Sequence, residues 1–225
     1  MKAYLEPSEV DQLEKAATCL RDELLIRLLF HLGCRISEAL SLRVEDIDFG
    51  QKMVTVLHLK NRLMLSCSHC QARLGKSHRF CPRCGLAVTE PVARAHESIK
   101  RRTLFLDPAT LEMLRDFIQR DKTKGLIFGI NRHRAWQIVR KCAERAGLPN
   151  LINPETGKMH AVSPHRLRDA FAVMAVQRDD STDSIRMLQE QLGHASIATT
   201  MRYRKVAGKE LKDWYSRLWE KENNG

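Results

Sequence analysis

Apolar residues recur at helical spacing along most of this chain. Near the start, Val10, Leu13 and Ala17 would share one face of a helix that opens at Pro7, a residue suited to the first helical position. The same spacing returns in most later segments. Further helices are predicted at about residues 21–31, 36–40, 108–120, 132–146, 164 onwards, 183–191, 197–205 and 208–221.

Two segments alternate in the manner of strands, at residues 53–59 and 103–106. Between them, residues 62–96 lose the helical spacing and gain cysteine, histidine and glycine. We therefore predict a mainly α fold with a small antiparallel β-sheet (α+β). It would form one domain over residues 1–225, with a module at 62–96 inserted between two strands. The apolar runs fall short of the roughly 18 residues that a membrane span needs.

Charge adds a first statement about partners. The chain of 225 residues has 38 Lys and Arg against 27 Asp and Glu, a net charge of +11. This excess favours a polyanion, because neutralising phosphates releases their condensed counterions. Charge alone leaves DNA, RNA and a membrane surface open. Lys2 is not followed by the apolar run that is typical of a signal peptide, so we expect a cytoplasmic protein.

Four of the seven cysteines form two Cys-x-x-Cys pairs, Cys67 with Cys70 and Cys81 with Cys84. Each pair lets two sulfurs point at one ion, and Zn²⁺ prefers four such ligands in a tetrahedron. The surrounding segment has few large apolar side chains, so a metal would supply stability that burial cannot. We predict a structural zinc in a ribbon-like module, with no open coordination position for catalysis.

Other interpretations of this segment stay open. His69 or His78 could replace a cysteine ligand, or lie beside the site. A redox pair is an alternative to metal, although two pairs so close together favour metal. The basic residues around the cysteines would suit DNA, a partner protein or solvent.

Three more segments carry polar residues where a core pattern does not require them. In the first, Arg35 and Glu38 follow Gly33 at a spacing that lets them pair on a helix. In the second, His165 and Arg168 project from one side of a helix near its N-terminus, where backbone N–H groups favour an anion. Each pattern alone is also typical of an ordinary surface ion pair or a solvated face.

The third segment runs from Leu192 to Tyr203. On one continuous helix, His194 and Tyr203 would point to opposite sides, given about 100° per residue. Gly193 and Ser196 instead indicate a break, with His194 in a turn and Tyr203 on the next helix. A tyrosine between two arginines is unusual for a core position, although a surface tyrosine is the common case.

Together these segments resemble the tyrosine recombinase (phage integrase) family. Gly-x-Arg-x-Ser-Glu, His-x-x-Arg, and Leu-Gly-His followed nine residues later by Tyr occur in the family's order. The resemblance covers roughly residues 3–61 and 97–222 and omits the cysteine segment. It implies helices around a small sheet, and site-specific DNA cleavage and rejoining through a covalent 3′-phosphotyrosyl intermediate.

The resemblance also implies residue roles. Arg35 and Arg168 would be the paired arginines on the scissile phosphate, His165 and His194 the two histidines, and Tyr203 the nucleophile. His165 would take the phenol proton and His194 would hydrogen-bond the phosphate. The family's chemistry needs neither metal nor cofactor.

A hairpin lysine protonates the leaving 5′-oxygen in this family. Lys60 directly follows the first predicted strand and matches that lysine, with Lys100 as the rival. Family members usually carry an N-terminal helical domain that clamps DNA, and this chain begins where the catalytic domain should begin. We expect either a fragment or a minimal form that grips DNA differently.

The resemblance further implies double-stranded DNA as partner, a homo-oligomer (a synaptic tetramer) on that DNA, and a location at the nucleoid. An apolar stripe near the end could dock on a neighbouring protomer or on its own domain: Leu211, Trp214, Leu218 and Trp219. Three alternatives remain: a type IB topoisomerase-like relaxing enzyme, a catalytically silent DNA-binding regulator, and a scaffold whose zinc module binds proteins.

Overall fold

A computed structural model describes residues 2–75, 78–89, 92–153, 156–206 and 215–216, without the side chains of 58–64, 93–100 and 205–206. The chain divides into two compact units. One, which we call the helical unit, comprises Met1–Val56 and Arg102–Gly225. The other, the cysteine unit, comprises Leu57–Arg101.

Helices dominate the helical unit, and the predicted mainly α fold with a small antiparallel sheet is confirmed. Each predicted helix within the described residues is present, and residues 215–216 of the predicted last helix are helical. Within the described part of the chain, every helix is too short or too polar to cross a lipid bilayer. The helices are α1 (Pro7–Lys15), α2 (Leu20–His31), α3 (Ile36–Ser41), α4 (Pro108–Arg120), α5 (Arg132–Arg145), α6 (Pro164–Arg178), α7 (Thr182–Leu192) and α8 (Ile197–Val206).

Helix α2 lies at the centre of the core. Leu24, Leu25, Ile26, Leu28 and Leu29 are all fully buried, so a wide face of the helix packs against apolar neighbours, while Arg27 on the other face bonds to polar partners. Helices α1, α4 and α6 supply these neighbours. Burying each such side chain contributes about 1.5–3 kcal/mol, so α2 is a rigid base for the loops at its ends.

The main sheet consists of β1 (Ile47–Asp48), β2 (Met53–Ser66), β3 (Arg73–Leu74) and β4 (Val92–Phe105). Strand β2 pairs antiparallel with β1, in a register that places Ile47 opposite Val54, and with β3. It also pairs with β4. Both β2 and β4 are longer than predicted and extend into the proposed 62–96 insert, because backbone groups make the pairing without any side-chain alternation.

A second, two-stranded sheet pairs β5 (Leu151–Ile152) with β6 (Met159–His160). The sequence predicted no strand here, because two-residue strands are too short to show an alternating pattern. The backbone N–H of Ile152 also donates to the Lys2 carbonyl at 2.8 Å.

Two glycines shape the loops that meet α6. Gly33, just beyond α2, has a φ of 57°, and Gly193, which ends α7, has a φ of 64°. A Cβ at Gly33 would lie 2.4 Å from a ring carbon of Phe171, and one at Gly193 would lie 2.6 Å from Arg102 Nη1. Both positions need glycine for the left-handed backbone and for the close approach.

Candidate active site

Arg35 stands directly before α3 and is fixed by that helix. Its backbone N–H donates to Glu38 Oε2 at 2.8 Å, and its Nη1 donates to Glu38 Oε1 at 2.9 Å. The pairing predicted from their spacing is confirmed. Nη1 and Nη2 also lie 3.5 Å from the carbonyl oxygens of Leu192 and Gly193. The guanidinium thus reaches from α3 to the end of α7.

Arg168 of α6 is more deeply buried, with 3% of its surface exposed. Its Nη1 donates to the Gly33 carbonyl at 2.7 Å and its Nη2 to the Leu192 carbonyl at 2.6 Å. The side chain therefore joins the loops after α2 and α7. Because both loops rest on packed helices, the guanidinium is held in place before any substrate binds.

A third guanidinium completes this arrangement. Arg102 of β4 donates from both Nη atoms to the Glu38 carboxylate, at 3.0 and 2.7 Å. Glu38, only 1% exposed, is therefore shared by Arg35 and Arg102. We call Arg35, Arg102, Arg168 and Glu38 the arginine cluster.

Positive charge exceeds negative charge in the arginine cluster, since three guanidiniums face one carboxylate. Burial would raise the pKa of Glu38, but the hydrogen bonds and charges of Arg102 and Arg35 lower it to about 2. Burial and the neighbouring charge of Arg35 lower the pKa of Arg168 to about 10, which still leaves it protonated at neutral pH. The cluster therefore suits a bound anion.

His194 occupies the turn between α7 and α8, as predicted from Gly193 and Ser196. Its backbone N–H donates to the Gln189 carbonyl at 3.0 Å, and its Nδ1 lies 2.9 Å from the buried Thr200 hydroxyl. Burial, followed by the charges of Arg168 and Arg35, lowers the pKa of His194 to about 4. The imidazole is therefore neutral at neutral pH, and it can donate one hydrogen bond.

Four of the predicted residues line one cleft of about 510 Å³: Arg35, His165, Arg168 and His194. His165, near the start of α6, is 72% exposed, so its ring stands at the mouth of this cleft. Arg132 and Trp136 of α5 also line this cleft. We call this space the arginine cleft.

Tyr203 of α8 lies beside the arginine cleft but does not line it among the described residues. It lines a neighbouring cleft of about 290 Å³ with Asp169, and His165 and His194 border both. The Tyr203 hydroxyl donates to Asp169 Oδ1 at 2.9 Å, and its ring lies nearly parallel to His194 with centroids 6.1 Å apart. Burial and the Asp169 charge raise the pKa of Tyr203 above its ordinary value.

Several predicted residues fall where their contacts are not described. Lys60 lies on β2 and Lys100 on β4, but both side chains are outside the described residues. The choice between these lysines stays a prediction. The apolar stripe near the end of the chain also lies outside the described residues: Leu211, Trp214, Leu218 and Trp219.

The sequence did not identify Arg102, Asp169 or Thr200 as parts of the site. For Arg102 a signal was available, because it shares a strand face with the buried Leu104 and Leu106. A charged residue at such a position requires a buried partner. Asp169, four residues after His165, gave only a helical spacing, and Thr200 gave none.

The cysteine unit holds a second candidate site. The four sulfurs of Cys67, Cys70, Cys81 and Cys84 all lie within 4.8 Å of one another. The Cys67–Cys84 and Cys70–Cys81 sulfur pairs are 3.7 and 3.4 Å apart. Zinc–sulfur bonds of about 2.3 Å in a tetrahedron place sulfurs roughly 3.8 Å apart, so the four thiols fit one metal ion.

Both Cys-x-x-Cys turns have the same backbone hydrogen bonds. The N–H of Cys67 donates to the Ala72 carbonyl, and that of Cys81 to the Leu86 carbonyl, at 2.9 and 2.8 Å. Four residues after each first cysteine, Gln71 and Gly85 have positive φ angles of 61° and 72°. Backbone N–H groups of Cys70 and His69 lower the pKa of the Cys67 thiol, which favours the thiolate that a metal needs.

Comparison with known proteins now identifies the family. Residues 3–67 and 92–210 match the pattern described as the Phage integrase family. The chain belongs to this family. The match omits residues between its two parts, where Cys70, Cys81 and Cys84 lie.

Individual relatives agree with this assignment. The tyrosine recombinase XerA of Pyrococcus horikoshii is 27% identical over 212 residues, which cover 93% of this chain and 59% of that protein. The crystal structure of XerA recombinase superposes with a TM-score of 0.63 at 21% identity, covering 97% of this chain and 66% of that one. A XerH site-specific recombinase bound to palindromic difH DNA gives 0.62 at 19% identity, covering 97% and 53%. These structures share the fold, and this chain spans little more than half the length of the XerA relative.

Proposed function

We propose that this protein is a site-specific recombinase that cleaves and rejoins DNA strands through a 3′-phosphotyrosyl bond on Tyr203. One observation carries the proposal: Arg35, His165, Arg168 and His194 line one cleft, and Tyr203 lies against its wall. These five residues come from α6, α8 and the loops around α3 and α7. A DNA-binding regulator would not need them together.

The arginines would bind the scissile phosphate. Attack on a phosphodiester builds negative charge on the non-bridging oxygens, and guanidiniums already fixed by carbonyl and carboxylate partners can stabilise it without reorganisation. Removing one such donor costs on the order of 10²–10³ in rate. His194, kept neutral by burial and by the nearby arginines, would donate a hydrogen bond to the same phosphate.

In the covalent step, Tyr203 Oη would attack phosphorus and the bond from phosphorus to the 5′-oxygen would break. His165 would accept the phenol proton as the new bond forms. Lys60, on the strand where the family places its lysine, would protonate the 5′-oxygen. Rejoining would reverse these transfers, with a 5′-hydroxyl as nucleophile and Tyr203 as leaving group.

We also propose that the cysteines hold a structural zinc, within a ribbon-like module at residues 62–96 of a catalytic domain that spans 1–225. The four-sulfur geometry and the paired hydrogen bonds of the two turns support this. The metal would supply folding stability to a segment with little core. Four thiolates would fill its coordination positions, so we assign it no part in the strand-exchange chemistry.

Double-stranded DNA is the proposed partner. The net charge of +11 and the XerH neighbour, whose structure is a DNA complex, support it. Strand exchange joins two DNA sites, so we further propose a homo-oligomer on DNA, in its full form a synaptic tetramer. Such a protein would act at the nucleoid.

The test is covalent trapping on a pool of nicked duplexes of randomised sequence. Wild-type protein should form a detergent-stable protein–DNA adduct, while Tyr203→Phe should form none and still bind DNA. Tyr215→Phe, which changes an exposed tyrosine outside the linings of both clefts, is the control and should trap normally. An adduct formed by Tyr203→Phe at the wild-type level would refute the proposal.

Plasmid relaxation separates strand exchange from topoisomerase-like activity. A site-specific recombinase should act only on plasmids that carry the trapped site. Equal relaxation of a plasmid with that site scrambled would favour a type IB topoisomerase-like enzyme. Specific DNA binding by wild-type protein without any adduct would favour a silent regulator.

A further inference from the structure

We propose that Asp169 is a positioning residue that holds the Tyr203 phenol away from the arginine cleft until DNA is bound. The inference rests on the function proposed above and adds a resting state to it. In that state the nucleophile is hydrogen-bonded to a carboxylate that takes no part in the chemistry.

The contact itself is well defined. Asp169 Oδ1 accepts the Tyr203 hydroxyl at 2.9 Å, while Oδ2 accepts Arg166 Nη1 at 3.1 Å. The His165 Nδ1 lies 3.7 Å from Oδ1. The Asp169 side chain is only 16% exposed. A hydrogen bond from a hydroxyl to a carboxylate that is so little exposed to solvent is stronger than one between neutral groups.

Position on α6 explains why the bond keeps the phenol back. Arg168 and Asp169 are neighbours in sequence, yet they line different spaces: Arg168 the arginine cleft, Asp169 the cleft beside it. Tyr203 lines the second space only, among the described residues. A phosphate held by Arg35 and Arg168 must come within about 3–3.5 Å of the phenol oxygen to react. In the proposed resting state the phenol is instead bonded to Asp169 in the second space.

Asp169 is poorly suited to be the base that activates Tyr203. A carboxylate has an ordinary pKa about six units below that of a phenol, so it accepts a hydrogen bond without removing the proton. Its negative charge also opposes ionisation of the phenol. The contact stabilises the neutral, unreactive form of the tyrosine.

The kinetic test compares Asp169→Ala and Asp169→Asn with wild type in initial trapping on the pool of nicked duplexes. Loss of a hydrogen bond to a charged group shifts a conformational equilibrium constant by on the order of tenfold, so Asp169→Ala should trap DNA about tenfold faster than wild type. Asp169→Asn keeps a neutral acceptor and should show a smaller acceleration. Asp180→Asn is the matched control. Asp180 accepts a hydrogen bond at 3.2 Å from Arg204, which lies on α8 beside Tyr203, whereas the phenol donates to Asp169. Its trapping should stay within about twofold of wild type.

Slower or unchanged trapping by both Asp169 variants would overturn the inference. Faster trapping would support it, because the loss of a residue with only a structural role does not accelerate the reaction. A second measurement needs no DNA. Thermal unfolding of Tyr203→Phe, Asp169→Asn and the double variant should be non-additive, with the double variant little worse than one single. Additive losses would mean that the bond does not form. If the wild-type protein traps no duplex at all, the proposed function fails. The unfolding measurements on the three variants still test whether the hydrogen bond between Tyr203 and Asp169 forms.

Discussion

The helical unit and the cysteine unit reach stability by different means. In the helical unit, α2 packs a wide apolar face into the core, and Glu38 and Arg168 of the arginine cluster are buried. In the cysteine unit, the buried cluster among described side chains consists of Cys67, Leu74 and Cys81. One unit is held by burial, and in our proposal the other is held by the metal ion that its sulfurs bind.

This difference separates two kinds of site. In the arginine cluster, charged groups such as Glu38 and Arg168 are almost fully buried, so each depends on its partners and removal of one leaves another unpaired. In the cysteine unit, the proposed metal ligands would make the structure, so the loss of the ion should unfold it. Perturbing one unit should therefore leave the other largely intact.

Metal removal should have the greatest effect. Structural zinc contributes on the order of 10 kcal/mol to small cysteine-bound modules, far more than their burial supplies. A chelator should therefore unfold the cysteine unit and leave the helical unit folded. Hydrogen exchange will show this as rapid exchange of amides in 67–89 with continued protection of α2.

Matched cysteine variants give the control. Cys81→Ser should lower the metal content from one ion per chain and reproduce the effect of chelation. Cys19→Ser, at an exposed cysteine before α2, should change neither. Amides of 67–89 that stay protected after complete metal removal would contradict the account.

Arg168→Lys should have the next effect. A lysine offers one nitrogen in place of the two that reach the Gly33 and Leu192 carbonyls, and it offers no planar fork to a phosphate. We expect the trapping rate to fall on the order of 10²–10³, with a smaller loss of DNA affinity. Arg178→Lys, at the exposed end of the same helix, should stay near wild type. A rate loss below about fivefold for Arg168→Lys would argue against phosphate contact.

Acid should weaken the helical unit through Glu38. The pKa of Glu38 in the folded protein, about 2, lies below the ordinary 4.5. Its contribution to folding stability is therefore fully present above pH 4.5 and is lost as the pH falls toward 2. The difference corresponds to about 3 kcal/mol at most, at 1.36 kcal/mol per unit. Urea unfolding between pH 6 and 3 should show a steeper decline for wild type than for Glu38→Gln.

Glu45→Gln, at an exposed carboxylate paired with Arg43, should keep the wild-type pH dependence. If the stability of Glu38→Gln declines as steeply with falling pH as that of wild type, the acid sensitivity does not come from the Glu38 carboxylate.

The parts of the site that the sequence predicted depend on local spacing. Arg35 stands directly before α3 and Glu38 lies in the first turn of that helix, so their pairing follows from a spacing of three residues. Gly33 and Gly193 both follow helices with left-handed backbone, and the break predicted at Gly193 is present. His194 and Tyr203 were placed on different elements for the same local reason.

The parts that it missed join residues far apart in the chain. Arg102 and Glu38 are 64 residues apart, and Tyr203 and Asp169 are 34 apart. No periodic pattern encodes such pairs, because they depend on how β4 and α8 pack beside α3 and α6. The full length of β2 and β4 was missed because backbone pairing needs no side-chain pattern.

The central claim is that one phosphate is held by Arg35 and Arg168 and attacked by Tyr203. Mass spectrometry of the trapped adduct, after digestion of both protein and DNA, tests it most directly. The account predicts a nucleotide bound through a phosphodiester to the peptide that contains Tyr203, with the Tyr4 and Tyr215 peptides unmodified. A nucleotide on any other residue would contradict it.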